Sequence, residues 1–135
     1  MILVDAGPLV AIIDRRDRDH VRCVSALAGL SAPMITTWAA FTEAMYLLGD
    51  RSGWDAQRRL WQIVHRGDLQ LAPVEGDSLE RAAELMKRYR NVPMDLADAT
   101  LVVIAEQMKL RRVFTLDKDF DIYRLPGRQT FEVLP

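Results

Sequence analysis

Cysteine is almost absent from this chain, which excludes two kinds of fold support. Cys23 is the single cysteine among 135 residues, so neither an internal disulfide framework nor a Cys-x-x-Cys metal site can form. A lone thiol fits a reducing compartment, and we expect Cys23 to lie in the core. A domain of this length buries roughly two thirds of its unfolded surface, so it needs no such support.

Long apolar runs are missing as well. Half of the residues are hydrophobic, yet no stretch approaches the ~18 consecutive apolar residues of a membrane span. Asp5 and Asp14 interrupt the only stretch that resembles a signal sequence. The chain also lacks repeats, low-complexity tracts and Gly/Ser linkers. We therefore expect residues 1–135 to form a single domain of a soluble, cytoplasmic protein that does not contact membranes.

Neither sign of charge is in excess. The chain has 18 Lys and Arg against 19 Asp and Glu, a net charge of −1. This balance predicts no strong attraction of the whole protein to nucleic acid. Any contact with nucleic acid then has to be local, through a patch of side chains or a bound metal ion.

The chain begins with a short apolar run that stops at an acid. Ile2–Val4 is too short for helical periodicity and is typical of a strand buried on both faces of a parallel sheet. Asp5 follows directly, and Gly7 and Pro8 turn the chain into a helix. Asp5 thus lies where open α/β sheets place their ligand crevice. Its charge predicts a basic partner, a cluster of helix amides or a metal ion beside it.

The rest of the chain alternates short apolar runs with amphipathic segments, which predicts an α/β fold with a central, mostly parallel sheet flanked by helices. Strands are predicted near 33–37, 69–74 and 113–115, with an edge strand at 131–134. Helices are predicted near 9–13, 20–28, 38–49, 55–67, 78–90 and 95–106, with Thr36 or Thr37 as the N-cap of the third.

Two further segments place acids beside predicted core. Glu43 lies next to the apolar stripe of helix 38–49, either as a boundary residue paired with an arginine or as a site residue. Asp95 and Asp98 lie in the first turn of a helix that is apolar nearly all round and so is predicted to be central. Asp95 fits an N-cap, whereas Asp98 is flush with the buried face and can project into a crevice.

Two more acids, Asp117 and Asp119, follow the carboxyl end of strand 113–115, which repeats the arrangement at Asp5. A turn or helix cap is the alternative for either residue, and for Asp119 it is the preferred one.

Taken together, these segments resemble the PIN-domain ribonucleases, and especially the VapC-type toxins of bacterial and archaeal toxin–antitoxin pairs. The matching segments occur in the same order as in that family and span nearly the whole chain. They are Val4–Leu9, Thr42–Glu43, Asp98–Leu101 with Ala105, and Thr115–Phe120.

The resemblance implies a PIN-like three-layer fold and a Mg²⁺- or Mn²⁺-dependent endoribonuclease, in which a metal-activated water attacks the RNA phosphodiester. It implies Asp5, Glu43, Asp98 and Asp117 as catalytic, metal-binding residues. Asp5 and Asp98 are the first choice for direct ligands, while Glu43 and Asp117 would bind through water or orient the nucleophile. Hard divalent ions prefer such oxygen ligands.

The neighbours of these acids take lesser roles under the same resemblance. Asp95 and Asp119 are second-rank ligand candidates, and Thr115 would orient a site carboxylate through its hydroxyl. Basic side chains on several segments are candidates for phosphate contacts along a groove. These are Arg15, Arg16, Arg18, Lys87, Arg88 and Lys118.

The family also implies partners: an RNA substrate, a small cognate antitoxin protein and a second copy of the chain in a homodimer. Four large aromatic residues are candidates for a dimer or antitoxin groove, with a place in the core as the alternative. They are Trp38, Tyr46, Trp54 and Trp61.

Two other functions compete with the nuclease. A phospho-acceptor receiver domain is also α/β, but it would need adjacent acids after the first strand and an acceptor aspartate after the third. Asp5 stands alone, and the segment from Val74 to Asp77 makes a poor acceptor. A non-catalytic PIN-like interaction module is the second alternative, and the presence of all four acids argues against it.

Overall fold

The computed structural model describes all residues from Met1 to Pro135. Its strands are β1 (Ile2–Val4), β2 (Met34–Thr37), β3 (Leu69–Ala72), β4 (Arg112–Phe114), β5 (Arg124–Leu125), β6 (Gln129–Thr130) and β7 (Glu132–Leu134). Its helices are α1 (Ala6–Ile13), α2 (His20–Ala28), α3 (Trp38–Ser52), α4 (Trp54–His65), α5 (Asp77–Arg88) and α6 (Leu96–Met108). Two short 3₁₀ helices span Lys118–Asp121 and Pro126–Arg128.

Five strands form one central sheet in the order β3-β2-β1-β4-β7, and all four pairings are parallel. The predicted α/β fold with a mostly parallel sheet is confirmed, and β7 is an edge strand as expected. Only β5 and β6 pair in antiparallel fashion, as a separate ribbon. This order also excludes the receiver alternative, whose sheet runs 2-1-3-4-5. None of the helices combines the length and the apolar character that crossing a membrane requires.

The sheet separates two hydrophobic cores, which makes the molecule three-layered. Ile2, Leu3 and Val4 are fully buried, but their side chains alternate across the sheet. Leu3 packs into a core formed mainly with α5, α6 and the C-terminal segment. Ile2 and Val4 pack into the other, formed with α1 to α4. Cys23 lies in this second core, as predicted.

Helix α6 is the central helix, and every residue from 97 to 105 is buried. Its predicted position is therefore confirmed. Besides its packing in the hydrophobic core, two polar contacts tie it to neighbouring elements. Arg81 of α5 makes a bidentate pair with Glu106, with Nε and Nη2 donating at 2.9 and 2.8 Å. The hydroxyls of Thr37 and Thr100 form a hydrogen bond of 2.7 Å that ties the start of α3 to α6.

The helix boundaries differ from the predicted ones where tertiary contacts intervene. Helix α1 begins at Ala6, before the predicted start at residue 9, because Asp5 caps it. Helix α3 runs past Gly49 to Ser52. Gly49 is not a helix end: the side chain of Gln57 occupies the space that a Cβ would need, so the glycine lets α4 approach closely. Thr37 is the N-cap of α3, its hydroxyl accepting from the Ala40 amide.

The large aromatic residues do not share one environment. Trp38, Tyr46 and Trp54 are 50%, 70% and 65% exposed, so the core alternative is wrong for these three. Trp61 is half-buried, with its ring centroid 5.1 Å from that of Phe41 in an edge-to-face contact. The exposed rings are therefore available for contacts outside this chain.

Candidate active site

The carboxyl ends of β1 and β4 bring two acidic segments together. Asp5 follows β1, and its amide donates to the carbonyl of Phe114 in β4 at 3.0 Å. Thr115 follows β4, and its hydroxyl donates to Asp5 Oδ2 at 2.9 Å. The predicted contact between Thr115 and a site carboxylate is therefore present. Because the two strands are parallel and adjacent, residues that follow them meet at one edge of the sheet.

Local hydrogen bonds fix the orientation of these acids. The Ala6 amide donates to Asp5 Oδ1 at 2.7 Å, so both carboxylate oxygens of Asp5 have a donor. The Asp117 amide donates to the Thr115 hydroxyl at 3.0 Å, and the Asp119 amide donates to Asp117 Oδ1 at 2.9 Å. Asp117 is thus the N-cap of the 3₁₀ helix that carries Asp119. The hydrogen bonds that form this turn therefore involve the same side chains as the acidic site.

Three carboxylates approach closely enough to share an ion. One oxygen each of Asp98, Asp117 and Asp119 lies within 4.8 Å of the other two. Asp98 is buried, Asp119 is half-buried and Asp117 is exposed, so the group opens to solvent on one side. The structure therefore brings Asp119, a second-rank candidate in the sequence, into the same group as Asp98 and Asp117.

Two other predicted acids lie around this group. Asp95 is exposed and is the N-cap of α6, accepting from the Asp98 amide at 2.8 Å. Its predicted capping role is confirmed. Glu43 projects from α3 and makes no ion pair, so the interpretation of Glu43 as the partner of an arginine is wrong. Glu43 is exposed and lies outside the group of three carboxylates; partial burial raises its pKa, and the charges of Asp5, Asp95 and Asp117 add to the rise.

Burial is the main cause of the shifted pKa values in the site. It raises the pKa of Asp5, against the lowering effect of its hydrogen bonds, and the charge of Asp117 adds to the rise. It raises the pKa of Asp98 to about 8, and the negative charge of Asp5 contributes. The pKa of Asp119 is also raised, by partial burial and by Asp117.

No basic side chain forms an ion pair with these acids. All seven ion pairs of the molecule lie elsewhere, and none involves a site acid. The sequence predicted a basic side chain, helix amides or a metal ion beside Asp5. A helix amide is present, from Ala6, and a basic side chain is not. The donor set is made of carboxylate oxygens only, which suits a hard divalent ion such as Mg²⁺ or Mn²⁺. The residues present therefore fit such an ion.

The predicted phosphate-contact residues are scattered. Lys118 lies between Asp117 and Asp119 and is exposed beside the site. Arg15 and Arg16 line a polar depression beyond the far end of α1, a helix of eight residues and so about 12 Å long. Arg18 pairs with Asp19 at 3.4 Å. Lys87 and Arg88 end α5, and Arg88 lines a cavity of about 300 Å³ with three other arginines: Arg81, Arg124 and Arg128.

One residue of the site was not predicted. The hydroxyl of Tyr123 donates to Asp98 Oδ2 at 2.7 Å, and the tyrosine is fully buried. The available indication in the sequence was weak: Tyr123 lies six residues after Asp117, and a buried tyrosine hydroxyl needs a partner. Nothing in the sequence says that this partner is Asp98, which is 25 residues away.

This fold and this cluster of acids agree with comparisons to known proteins. The family model for the PIN domain matches residues 2–125, and the chain therefore belongs to the PIN-domain family. The ribonuclease VapC26 of Mycobacterium tuberculosis is 27% identical, over 99% of this chain and 100% of that protein. The predicted resemblance to VapC-type PIN proteins is thus confirmed.

Solved structures give the same fold. VapC20 of Mycobacterium tuberculosis, a sarcin–ricin loop cleaving toxin, superposes with a TM-score of 0.86 at 22% identity, covering 100% of both chains. A chain of a toxin–antitoxin complex from Klebsiella pneumoniae superposes with a TM-score of 0.70 at 18% identity, covering 100% of this chain and 97% of that one. Structural similarity at such low sequence identity shows that the fold is shared, but it does not assign site residues. The catalytic set therefore stays a prediction: Asp5, Glu43, Asp98 and Asp117.

Proposed function

We propose that this protein is a Mg²⁺- or Mn²⁺-dependent endoribonuclease that acts as the toxin of a toxin–antitoxin pair, and that residues 1–135 form one domain. The observation that carries the proposal is the group of acids at the carboxyl edge of the sheet, in a chain that belongs to the PIN family. These acids form no ion pair with a basic side chain. Like charges held this close repel one another, and a bound divalent ion removes that cost.

The acids divide into two groups under this proposal. Asp98, Asp117 and Asp119 would hold an ion, since their oxygens already lie within 4.8 Å of one another. Asp5 is not one of these three, but its charge contributes to the raised pKa of Asp98 and two donors fix its carboxylate, so we keep it as a ligand candidate. A divalent ion bound there supplies positive charge that polarises the phosphate and lowers the pKa of a water.

Glu43 would orient the attacking water and accept its proton. Its raised pKa brings it closer to the working pH than an ordinary glutamate, which favours a role in proton transfer. The water would attack the phosphorus in line with the leaving oxygen, so that one P–O bond forms while the opposite P–O bond breaks, and the leaving oxygen would take up a proton from solvent. Lys118, which is exposed and lies between Asp117 and Asp119 in the sequence, would contact a phosphate of the RNA.

The test is cleavage of single-stranded and of structured RNA by purified protein with Mn²⁺ or Mg²⁺, with and without EDTA. We expect EDTA to stop cleavage, and we expect Asp5→Asn, purified in parallel as the contamination control, to be inactive. Cleavage that continues undiminished in EDTA would exclude the metal mechanism. A folded protein that binds Mn²⁺ but cuts no RNA would instead support the non-catalytic interaction module.

The partners are proposed separately. A cytoplasmic ribonuclease has to be restrained, and we propose a homodimer inhibited by a small antitoxin whose basic side chain enters the group of acids. Exposed aromatic residues support this: Trp38 and Tyr46 lie on α3, the helix that carries Glu43. An apolar antitoxin helix could pack on these rings.

Expression in bacteria tests the toxin assignment. We expect growth arrest from the wild type alone, relief by co-expression of a small open reading frame immediately upstream, and no arrest from Asp5→Asn. Harmless expression of folded wild type, with no such neighbouring frame, would count against a toxin and leave the nuclease proposal open. Light scattering of the purified protein tests the homodimer.

A further inference from the structure

Tyr123 connects the two segments that carry the closest acids. Its hydroxyl donates to Asp98 Oδ2 at 2.7 Å, while its backbone amide donates to the carbonyl of Asp119 at 3.2 Å. Both Asp98 and Asp119 belong to the group whose oxygens lie within 4.8 Å of one another. Tyr123 therefore contacts that group from its buried side, away from the exposed Asp117.

The position of the phenol ring is fixed by other aromatic rings. Tyr89 and Phe120 each make an edge-to-face contact with Tyr123 at a centroid distance of 5.1 Å. Phe120 in turn packs on Phe131 at 5.4 Å. Because the ring is fully buried and held on two sides, its hydroxyl has little freedom to leave Asp98.

A carboxylate that binds a metal ion has to be held at the right rotation. In Asp98 one oxygen, Oδ2, accepts from the phenol, and Oδ1 has no hydrogen-bond donor. A neutral donor such as tyrosine fixes the rotation without adding a charge that would compete with the ion. Residues that orient ligands in this way typically contribute ~10–100-fold to metal affinity or activity.

We infer that Tyr123 is a positioning residue for Asp98, holding one oxygen of its carboxylate so that the other is presented to a divalent ion. The inference rests on the proposed function, since it assumes that Asp98 is a metal ligand. It adds a residue that no segment of the PIN resemblance includes.

The test compares Tyr123→Phe with Tyr89→Phe. Both changes remove one hydroxyl and keep the ring in the same aromatic cluster. The Tyr89 hydroxyl accepts from the Arg124 amide at 3.0 Å and bonds to no carboxylate, so it is a matched control. Titration calorimetry with Mn²⁺ as the probe measures the affinity directly. We expect Tyr123→Phe to weaken Mn²⁺ binding ~10-fold or more, and Tyr89→Phe to leave it within about twofold of wild type.

Two further measurements separate positioning from general stability. The rise in Tm caused by Mn²⁺, taken for each variant against its own value in EDTA, should be smaller for Tyr123→Phe even if that variant is less stable. In RNA cleavage, the Mn²⁺ concentration for half-maximal rate should rise, and saturating Mn²⁺ should restore most of the rate.

Three results would overturn the inference. Equal Mn²⁺ affinity in Tyr123→Phe and wild type would show that the hydroxyl does not serve the ion. Equal weakening in Tyr89→Phe would show that cluster packing, and not the bond to Asp98, is responsible. A wild type that binds no Mn²⁺ would remove the proposed metal site itself, and with it any positioning role, so the two failures are distinguishable.

Discussion

Asp98→Asn should make the metal-free protein more stable while abolishing cleavage. Asp98 is 4% exposed, and burial raises the pKa of its carboxyl from the ordinary 3.8 to about 8. In metal-free protein near pH 8, the charged Asp98 carboxylate is therefore buried where it is poorly solvated, which is unfavourable. Replacing the carboxylate by a neutral amide of the same shape removes that cost and also removes a ligand that the ion needs.

The sign of the pH dependence follows from the raised pKa. Asp98 binds its proton more tightly in the folded state, so its contribution to stability is fully present below about pH 3.8. That contribution is lost progressively as the pH rises to about 8. With about 1.4 kcal/mol for each pH unit over that range, the loss has an upper bound of about 6 kcal/mol.

The expected gain from Asp98→Asn is smaller than this bound. The new amide group has two N–H donors that must be buried, which costs about 1–3 kcal/mol if they stay unpaired, and local relaxation already lowers the cost of the charge in the wild type. We expect a gain of about 2–3 kcal/mol at pH 8 in EDTA, or a rise in Tm of about 6–9 °C. At pH 5 Asp98 is already protonated, and the gain should fall below about 1 kcal/mol.

Urea and thermal unfolding of wild type and Asp98→Asn in EDTA at pH 5 and pH 8 provide the measurement. Mn²⁺ at about 1,000 times its Kd should then reverse the order at pH 8, because it stabilises the wild type by about 4.1 kcal/mol, which exceeds the expected gain, and should not stabilise the variant. A loss of stability at pH 8 in EDTA, or the same gain at both pH values, would refute the reasoning.

Two further substitutions test other parts of the site. Thr115→Val should destabilise the protein by about 1–3 kcal/mol in urea, because the Thr115 hydroxyl donates to Asp5 and accepts from the Asp117 amide. Thr115→Ser, which keeps the hydroxyl, should retain most of that stability, and similar unfolding curves for the valine and serine variants would contradict the role of the hydroxyl. Asp95→Asn should reduce cleavage less than about tenfold, because asparagine also caps helices and Asp95 is exposed. Equal loss of RNA cleavage from Asp95→Asn and Asp98→Asn, at unchanged folding, would show that the two acids of α6 have been assigned the wrong way round.

The local features of this protein could be predicted because they depend on neighbouring residues. The run Ile2–Val4 with Asp5 after it predicted a buried strand and an acid at its carboxyl end, and both are present. The caps at Thr37 and Asp95 also follow from side chains that bond within three residues of themselves. The four acids and their order sufficed for the resemblance to the PIN family.

Other features were decided only by the tertiary structure, since they depend on residues far apart in the sequence. Glu43 was compatible with an arginine partner in the sequence, but in the structure it forms no ion pair, and the charges that help to raise its pKa are those of Asp5, Asp95 and Asp117. Asp119 had a good local explanation as a turn residue, yet the 3₁₀ helix carries its carboxylate to Asp98. The bond between Tyr123 and Asp98 exists because Tyr89 and Phe120 hold the phenol against α6. The capping and turn hydrogen bonds of a side chain depend on residues next to it in the sequence. Its partner across the core depends on how the whole chain packs.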